Sequence, residues 1–83
     1  MQLPQRTPDY HKNMSKAGDL PTCIICGRGI KAVAPASVHV HGGGSLVVTE
    51  EEAATMSAAA DVGIYPIGPE CLKNHPEMKA YVL

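Results

Sequence analysis

Three cysteines and a histidine constrain this chain more than any other feature. Cys23 and Cys26 are separated by two residues, Cys71 follows after 44 more, and His75 stands four positions beyond Cys71. The cysteine count is three, so full pairing as disulfides is impossible, and an odd number argues against a secreted disulfide framework. A redox pair of the thioredoxin kind would need Cys23 and Cys26 at a helix start inside a βαβ unit, and no such pattern surrounds them. A third reading, inert buried thiols, gives no reason for the spacing. Metal binding does. Two cysteines three apart can point at one ion across a tight turn. Two ligands four apart on a helix share a face. Together Cys23, Cys26, Cys71 and His75 make a tetrahedral set suited to one structural Zn2+ ion. A single iron or an iron–sulfur cluster would favour four cysteines. His39 or His41 is the alternative source of the fourth ligand.

An added source of stability is expected on composition too. The chain has 83 residues, no Trp, no Phe and three Tyr. So short a chain forms a single domain with little core, and large aromatic side chains are what normally enlarge such a core. No segment approaches the roughly 20 apolar residues of a membrane-spanning helix. The opening Met1-Gln2-Leu3-Pro4-Gln5-Arg6 has no apolar run behind it, so no signal peptide is expected. Free thiols then point to a reducing cytoplasm. The formal net charge is −1. Residues 1–20 are slightly basic, whereas from residue 21 onward Arg28, Lys31, Lys73 and Lys79 face Glu50, Glu51, Glu52, Asp61, Glu70 and Glu77. Three thiolates on a 2+ ion add one further negative charge. A nucleic-acid binder that depends on phosphate contacts is therefore disfavoured.

Along the chain, residues 1–20 read as an irregular tail punctuated by Pro4, Pro8 and Gly18, either mobile or ordered against the domain through Leu3 and Tyr10, and residues 21–83 as the zinc-binding domain. Cys23-Ile24-Ile25-Cys26-Gly27-Arg28-Gly29 has the form of a zinc knuckle, in which Gly27 and Gly29 permit the positive φ that turns backbone N–H groups toward the sulfurs. Two β-prone runs, Ser37–His41 and Ser45–Val48, flank Gly42-Gly43-Gly44 and predict a hairpin. On it Val38 and Val40 share one face, with His39 and His41 on the solvent side. Thr49-Glu50-Glu51-Glu52 predicts a capping box opening a helix, with Ala53, Met56, Ala59 and Ala60 as a thin apolar stripe and Gly63 as the stop. Ile64–Ile67 reads as a short extended stretch. Pro69 opens a short helix that carries Cys71 in its first turn, where a thiolate is favoured. The apolar end Tyr81-Val82-Leu83 is expected to pack back onto the domain.

The order knuckle, hairpin and ligand-bearing helix resembles a treble-clef zinc finger. Cys23-Ile24-Ile25-Cys26-Gly27, Val38-His39-Val40 and above all Ile67-Gly68-Pro69-Glu70-Cys71 resemble small zinc-finger proteins encoded by phages, plasmids and integrated elements. The resemblance covers about residues 22–83. It implies a small α+β zinc-stabilised domain acting in the cytoplasm of a bacterial host, and implies no particular activity. No catalytic set is apparent: a closed Cys3His site leaves zinc no open position, and neither His39 nor His41 is followed two residues later by a Glu, as zinc deaminases require. The expectation is a non-catalytic protein-interaction module that modulates or inhibits a host protein, with a nucleic-acid-binding finger as the alternative.

Overall fold

The computed structural model describes all 83 residues. Ser37-Val38-His39-Val40-His41 forms the central strand β1 (Ser37–His41). It turns through Gly42–Gly44, at φ of 63°, 68° and 108°, into β2 (Leu46–Val48). Only glycine adopts three such angles in succession without strain, so the expected hairpin is observed; its loop has four residues rather than three, because His41 pairs with Leu46 and Ser45 joins the turn. The stretch expected to be merely extended becomes a third strand, β3 (Gly63–Pro66), on the other side of β1. The sheet is antiparallel throughout, in the order β2-β1-β3.

Alternation along β1 separates two buried faces. Val38 and Val40, with Val47 opposite Val40, pack against Ile25, Ile30, Ile67, Met78, Cys23 and Cys71. This is the main core. His39 and His41 lie on the other face, and the expectation of a solvent-exposed surface there is corrected. They are 8% and 1% exposed.

The segment that covers them begins with α2 (Glu50–Ala54). Its capping box is present: Glu52 N–H donates to the Thr49 hydroxyl at 3.1 Å, and Thr49 N–H donates to the Glu52 carboxylate at 2.9 Å. The helix stops at Ala54 rather than near Gly63, and a 3-10 turn follows over Ala58–Ala60. Two causes account for the early stop. An alanine stripe buries little apolar area, so a long helix gains little from packing. A straight helix from Glu50 to Ala60 would also span about 15 Å. Yet Glu50 and Asp61 both hydrogen-bond the single imidazole of His39, at 2.7 and 2.8 Å, so the chain must double back between them.

Of the two expectations for residues 1–20, ordering against the domain through Leu3 and Tyr10 is the one observed, with a short helix inside the otherwise irregular run. Met1 N–H donates to Val47 O at 2.8 Å, Val47 N–H to Met1 O at 2.8 Å, and Leu3 N–H to Ser45 O at 2.9 Å. This segment covers the free edge of β2. The chain then forms α1 (Tyr10–Lys16), whose Tyr10 is buried. Thr7 N–H donates to Ile25 O at 3.0 Å, and the Asn13 amide donates to Cys26 O at 2.8 Å. Proline and glycine punctuation does suggest irregularity, but tertiary hydrogen bonds decide the outcome.

At the other end, α3 (Pro69–Asn74) is followed by a 3-10 segment, Pro76–Tyr81. Val82 bridges to Val38, and Leu83 N–H donates to Ser37 O at 2.9 Å. The apolar end therefore packs back as expected. No helix is long and apolar enough to cross a membrane.

Candidate metal centre

The loop carrying the first two cysteines is held at both ends. Thr22 bridges to Gly29, and Cys23 N–H donates to Arg28 O at 3.0 Å. Between them Gly27 N–H closes a turn onto Cys23 O at 2.9 Å. Gly27 has φ of 74°, and a Cβ there would collide with the backbone oxygen of Tyr10. Glycine is required at this position for conformation and for the close approach of α1. Gly29 is different: it has no positive φ, and its small size makes room for Leu20, whose side chain lies 2.9 Å from an ideal Cβ. The expectation that both glycines supply positive φ therefore holds for Gly27 alone.

The third cysteine arrives from the opposite side of the core. Ile24 N–H donates to Pro66 O at 3.0 Å, which ties the loop to the end of β3. Gly68 then runs beside Cys23, and Pro69 at the start of α3 sets Cys71 in the first turn. The three sulfurs come within 4.8 Å of one another. Around one ion with Zn–S bonds of about 2.3 Å, tetrahedral sulfurs stand about 3.8 Å apart, so small side-chain rotations suffice to close the set. Cys23 and Cys71 are buried and Cys26 is half-buried. All three are free thiols, close enough to hold a metal ion.

Electrostatics separates Cys23 from Cys71. Burial pushes the Cys23 thiol up, but backbone N–H groups of Cys26, Gly68 and Ile25, together with the Cys71 thiol, outweigh it and hold the pKa below its ordinary value. Those donors are the ones that orient a thiolate toward a metal. Cys71 is shifted strongly upward by its burial and then by the neighbouring sulfurs of Cys23 and Cys26. The helix start thus does not by itself favour a thiolate at Cys71, contrary to expectation: the Cys71 thiol is pushed up while that of Cys23 is held down. A bound cation reverses the penalty on Cys71, because each further thiolate then offsets positive charge.

His75 does not join the cysteines, and its placement as the fourth ligand is corrected. Helix α3 ends at Asn74, and His75 has φ of −127° and ψ of 68°. Pro76 disfavours the helical conformation at the residue before it, so the shared face of positions four apart is lost. The ring lines a separate cavity with Met1, Leu3 and Gln5, and its Nδ1 stands 3.7 Å from Glu77. The alternative donors are absent as well. His39 lies on the far face of the sheet between Glu50 and Asp61, and His41 Nδ1 accepts the Gly42 N–H at 2.8 Å. No His, Asp or Glu atom extends the three-cysteine group.

Two cavities meet at the cysteines. One, of about 350 Å³, touches Cys23, Cys26 and Cys71 and is bordered by Arg28, Lys31 and Glu70. The other, of about 320 Å³, touches Cys26 and Cys71 and is bordered by Asp9, Asn13, Arg28 and Glu70.

Sequence reasoning missed one group altogether. The His39 imidazole bonds Glu50 through Nδ1 and Asp61 through Nε2. Ionised carboxylates only accept, so both ring nitrogens donate and the ring is the imidazolium. The Asp61 hydrogen bond and then that of Glu50 raise the His39 pKa, and the His39 hydrogen bond lowers that of Asp61. The three residues are 11 and 22 positions apart, a spacing that carries no motif.

Comparison with known proteins finds no matching family model and no significantly similar curated protein or solved structure.

Proposed function

We propose that the chain is a zinc-binding, non-catalytic module that acts by binding another protein; His39, His41 and His75 all lie away from the cysteines, which leaves no imidazole beside the metal to move a proton. One observation carries the zinc: three free cysteine sulfurs lie within 4.8 Å of one another and join the Cys23–Cys26 loop to α3. Soft thiolates favour zinc among the available divalent ions, and a core without Phe or Trp leaves room for a metal to contribute to stability. The order of ligands, first on a loop and then on a short helix, supports a treble-clef-like arrangement. The β-hairpin between them supports it too.

The protein-binding role is supported by the outer strand of the sheet. Ile64 and Tyr65 expose apolar surface on β3, next to Val62; β3 is an outer strand tied to the neighbouring loop only at Pro66, and an outer strand with exposed apolar side chains favours pairing with another chain. The resemblance to small mobile-element zinc fingers adds the proposal that the partner is a host protein, met in the bacterial cytoplasm. Elemental analysis of protein prepared without added metal should find one zinc per chain; iron, or no metal, would sink the metal assignment. Affinity purification from host lysate should recover one stoichiometric protein, and Ile64→Asp should abolish that recovery without loss of zinc. Recovery unchanged by Ile64→Asp would remove β3 from the contact.

A nucleic-acid-binding reading gains one specific observation. Lys16, Arg28 and Lys31 border a single shallow depression. Three cations give few phosphate contacts, and Arg6 is engaged 4.0 Å over the Tyr10 ring. Oligonucleotide titration at low salt, where phosphate contacts are strongest, separates the two readings. Weak binding lost at physiological salt is expected.

A further inference from the structure

We propose that the metal centre is coordinatively open, and that its fourth position takes an exogenous monoanionic donor, a thiolate or a carboxylate, entering past Arg28 and Lys31. The proposal rests on the zinc reading above and deepens it. A structural zinc site is normally closed by four protein ligands. Here three sulfurs converge, and no imidazole or carboxylate stands with them. The two histidines on β1 are committed elsewhere, and His75 lies in a different cavity.

The surroundings select both the side of entry and the charge of the ligand. The cavity that touches all three cysteines is bordered by Arg28 and Lys31, with Glu70 as its only carboxylate. A shallow depression shares Arg28, Gly29 and Lys31 with it and adds Lys16. None of these three cations makes an ion pair within 4.0 Å; all the close pairs in the molecule involve His39 or His75. In a chain of net charge −1, two uncommitted cations, Arg28 and Lys31, thus border the metal cavity, and a third, Lys16, borders the depression beside it. On the other side, Asp9 and Glu70 border the second cavity against Arg28 alone. An anion is repelled there and drawn in at the Arg28–Lys31 side. The charges are complementary at the metal as well. Three thiolates on Zn2+ carry −1, a fourth anionic donor makes it −2, and Arg28 and Lys31 offset that excess in a partly desolvated setting.

The full chain loaded with Co2+ in place of zinc reports directly on the fourth ligand through its visible absorption. Azide, acetate and 2-mercaptoethanol should each shift the spectrum saturably, with cobalt content unchanged by elemental analysis. Arg28→Glu should weaken that response about tenfold, equivalent to about 1.4 kcal/mol, since it turns an attracting charge at the entry into a repelling one. Lys31→Glu should act in the same direction, and His75→Ala should leave the spectrum as it is. A short cysteine-containing peptide that binds far more tightly than 2-mercaptoethanol would place the natural donor on a protein; equal binding would place it on a small molecule. A cobalt spectrum unmoved by every anion, or one altered by His75→Ala, would overturn the open position while leaving the metal site standing. Failure to bind cobalt or zinc at all would overturn the metal reading, and this inference with it.

Discussion

The two faces of β1 carry two fastenings of opposite electrical design. On the face of Val38 and Val40, three sulfurs that can become anions converge with no positive side chain among them. On the face of His39 and His41, one imidazolium sits between two carboxylates. Each draws segments distant in sequence onto the sheet. On the proposed zinc reading the cysteine cluster takes its cation from outside, whereas the histidine clamp supplies its own. Their expected failure conditions therefore differ: loss of metal for the first, loss of a proton for the second.

The largest expected effect lies on the cysteine side. Structural zinc sites contribute on the order of 10 kcal/mol of apparent binding free energy, against a total stability of about 5–15 kcal/mol for an ordinary domain. Chelation, or Cys71→Ser, should therefore abolish the cooperative thermal transition, measured by circular dichroism with metal content followed in parallel. A chelated chain that keeps its melting transition would show that the apolar core suffices alone, and would break the contrast between the two faces.

On the opposite face, His39→Ala removes the cation and leaves Glu50 and Asp61 facing each other. A fall in Tm of about 5 °C is expected, with zinc stoichiometry unchanged. Metal loss in this variant would mean that the two faces are coupled. The clamp also has a defined pH window. Because the His39 pKa is raised, its contribution is complete below the unfolded value of about 6.5 and disappears as pH rises through the higher folded value. The Asp61 pKa is lowered, so its contribution is present above about 3.9 and disappears as pH falls through the lower folded value. Protection of the amides across residues 50–61, measured against their intrinsic base-catalysed exchange rates, should therefore fall above neutral pH in the native chain and stay level in His39→Gln. An equal fall in protection in both would locate the titration elsewhere.

Smaller effects sharpen the same picture. Thr49→Ala removes one half of the capping box and should cost about 1 kcal/mol, visible as a modest fall in Tm with both fastenings intact. His75→Ala should change stability by less than about 0.5 kcal/mol and leave zinc bound, as for a residue outside both sites.

Much of the local structure was legible. The glycine cluster between β-prone runs signals a hairpin, Thr49 with Glu52 signals a cap, and Pro69 signals a helix start, because each rests on interactions within a few residues. The Cys23–Cys26 spacing is legible for the same reason. His75 was misplaced because spacing of four implies a shared face only while the helix continues, and Pro76 ends it first. Residues 1–20 stayed open between a mobile and an ordered segment because their partners, Ser45, Val47, Ile25 and Cys26, lie far along the chain.

The sequence by itself determined that three thiols are available, that no fourth cysteine exists, and that a knuckle, a hairpin and a capped helix form where they do. Only the tertiary structure decided that Cys71 meets Cys23 and Cys26 while His75 stays away, and that His39 is a buried cation between Glu50 and Asp61. Local signals come from chain geometry over one or two turns. Contacts between residues tens of positions apart depend on which strand becomes central and what covers each of its faces, and no short-range pattern encodes that choice.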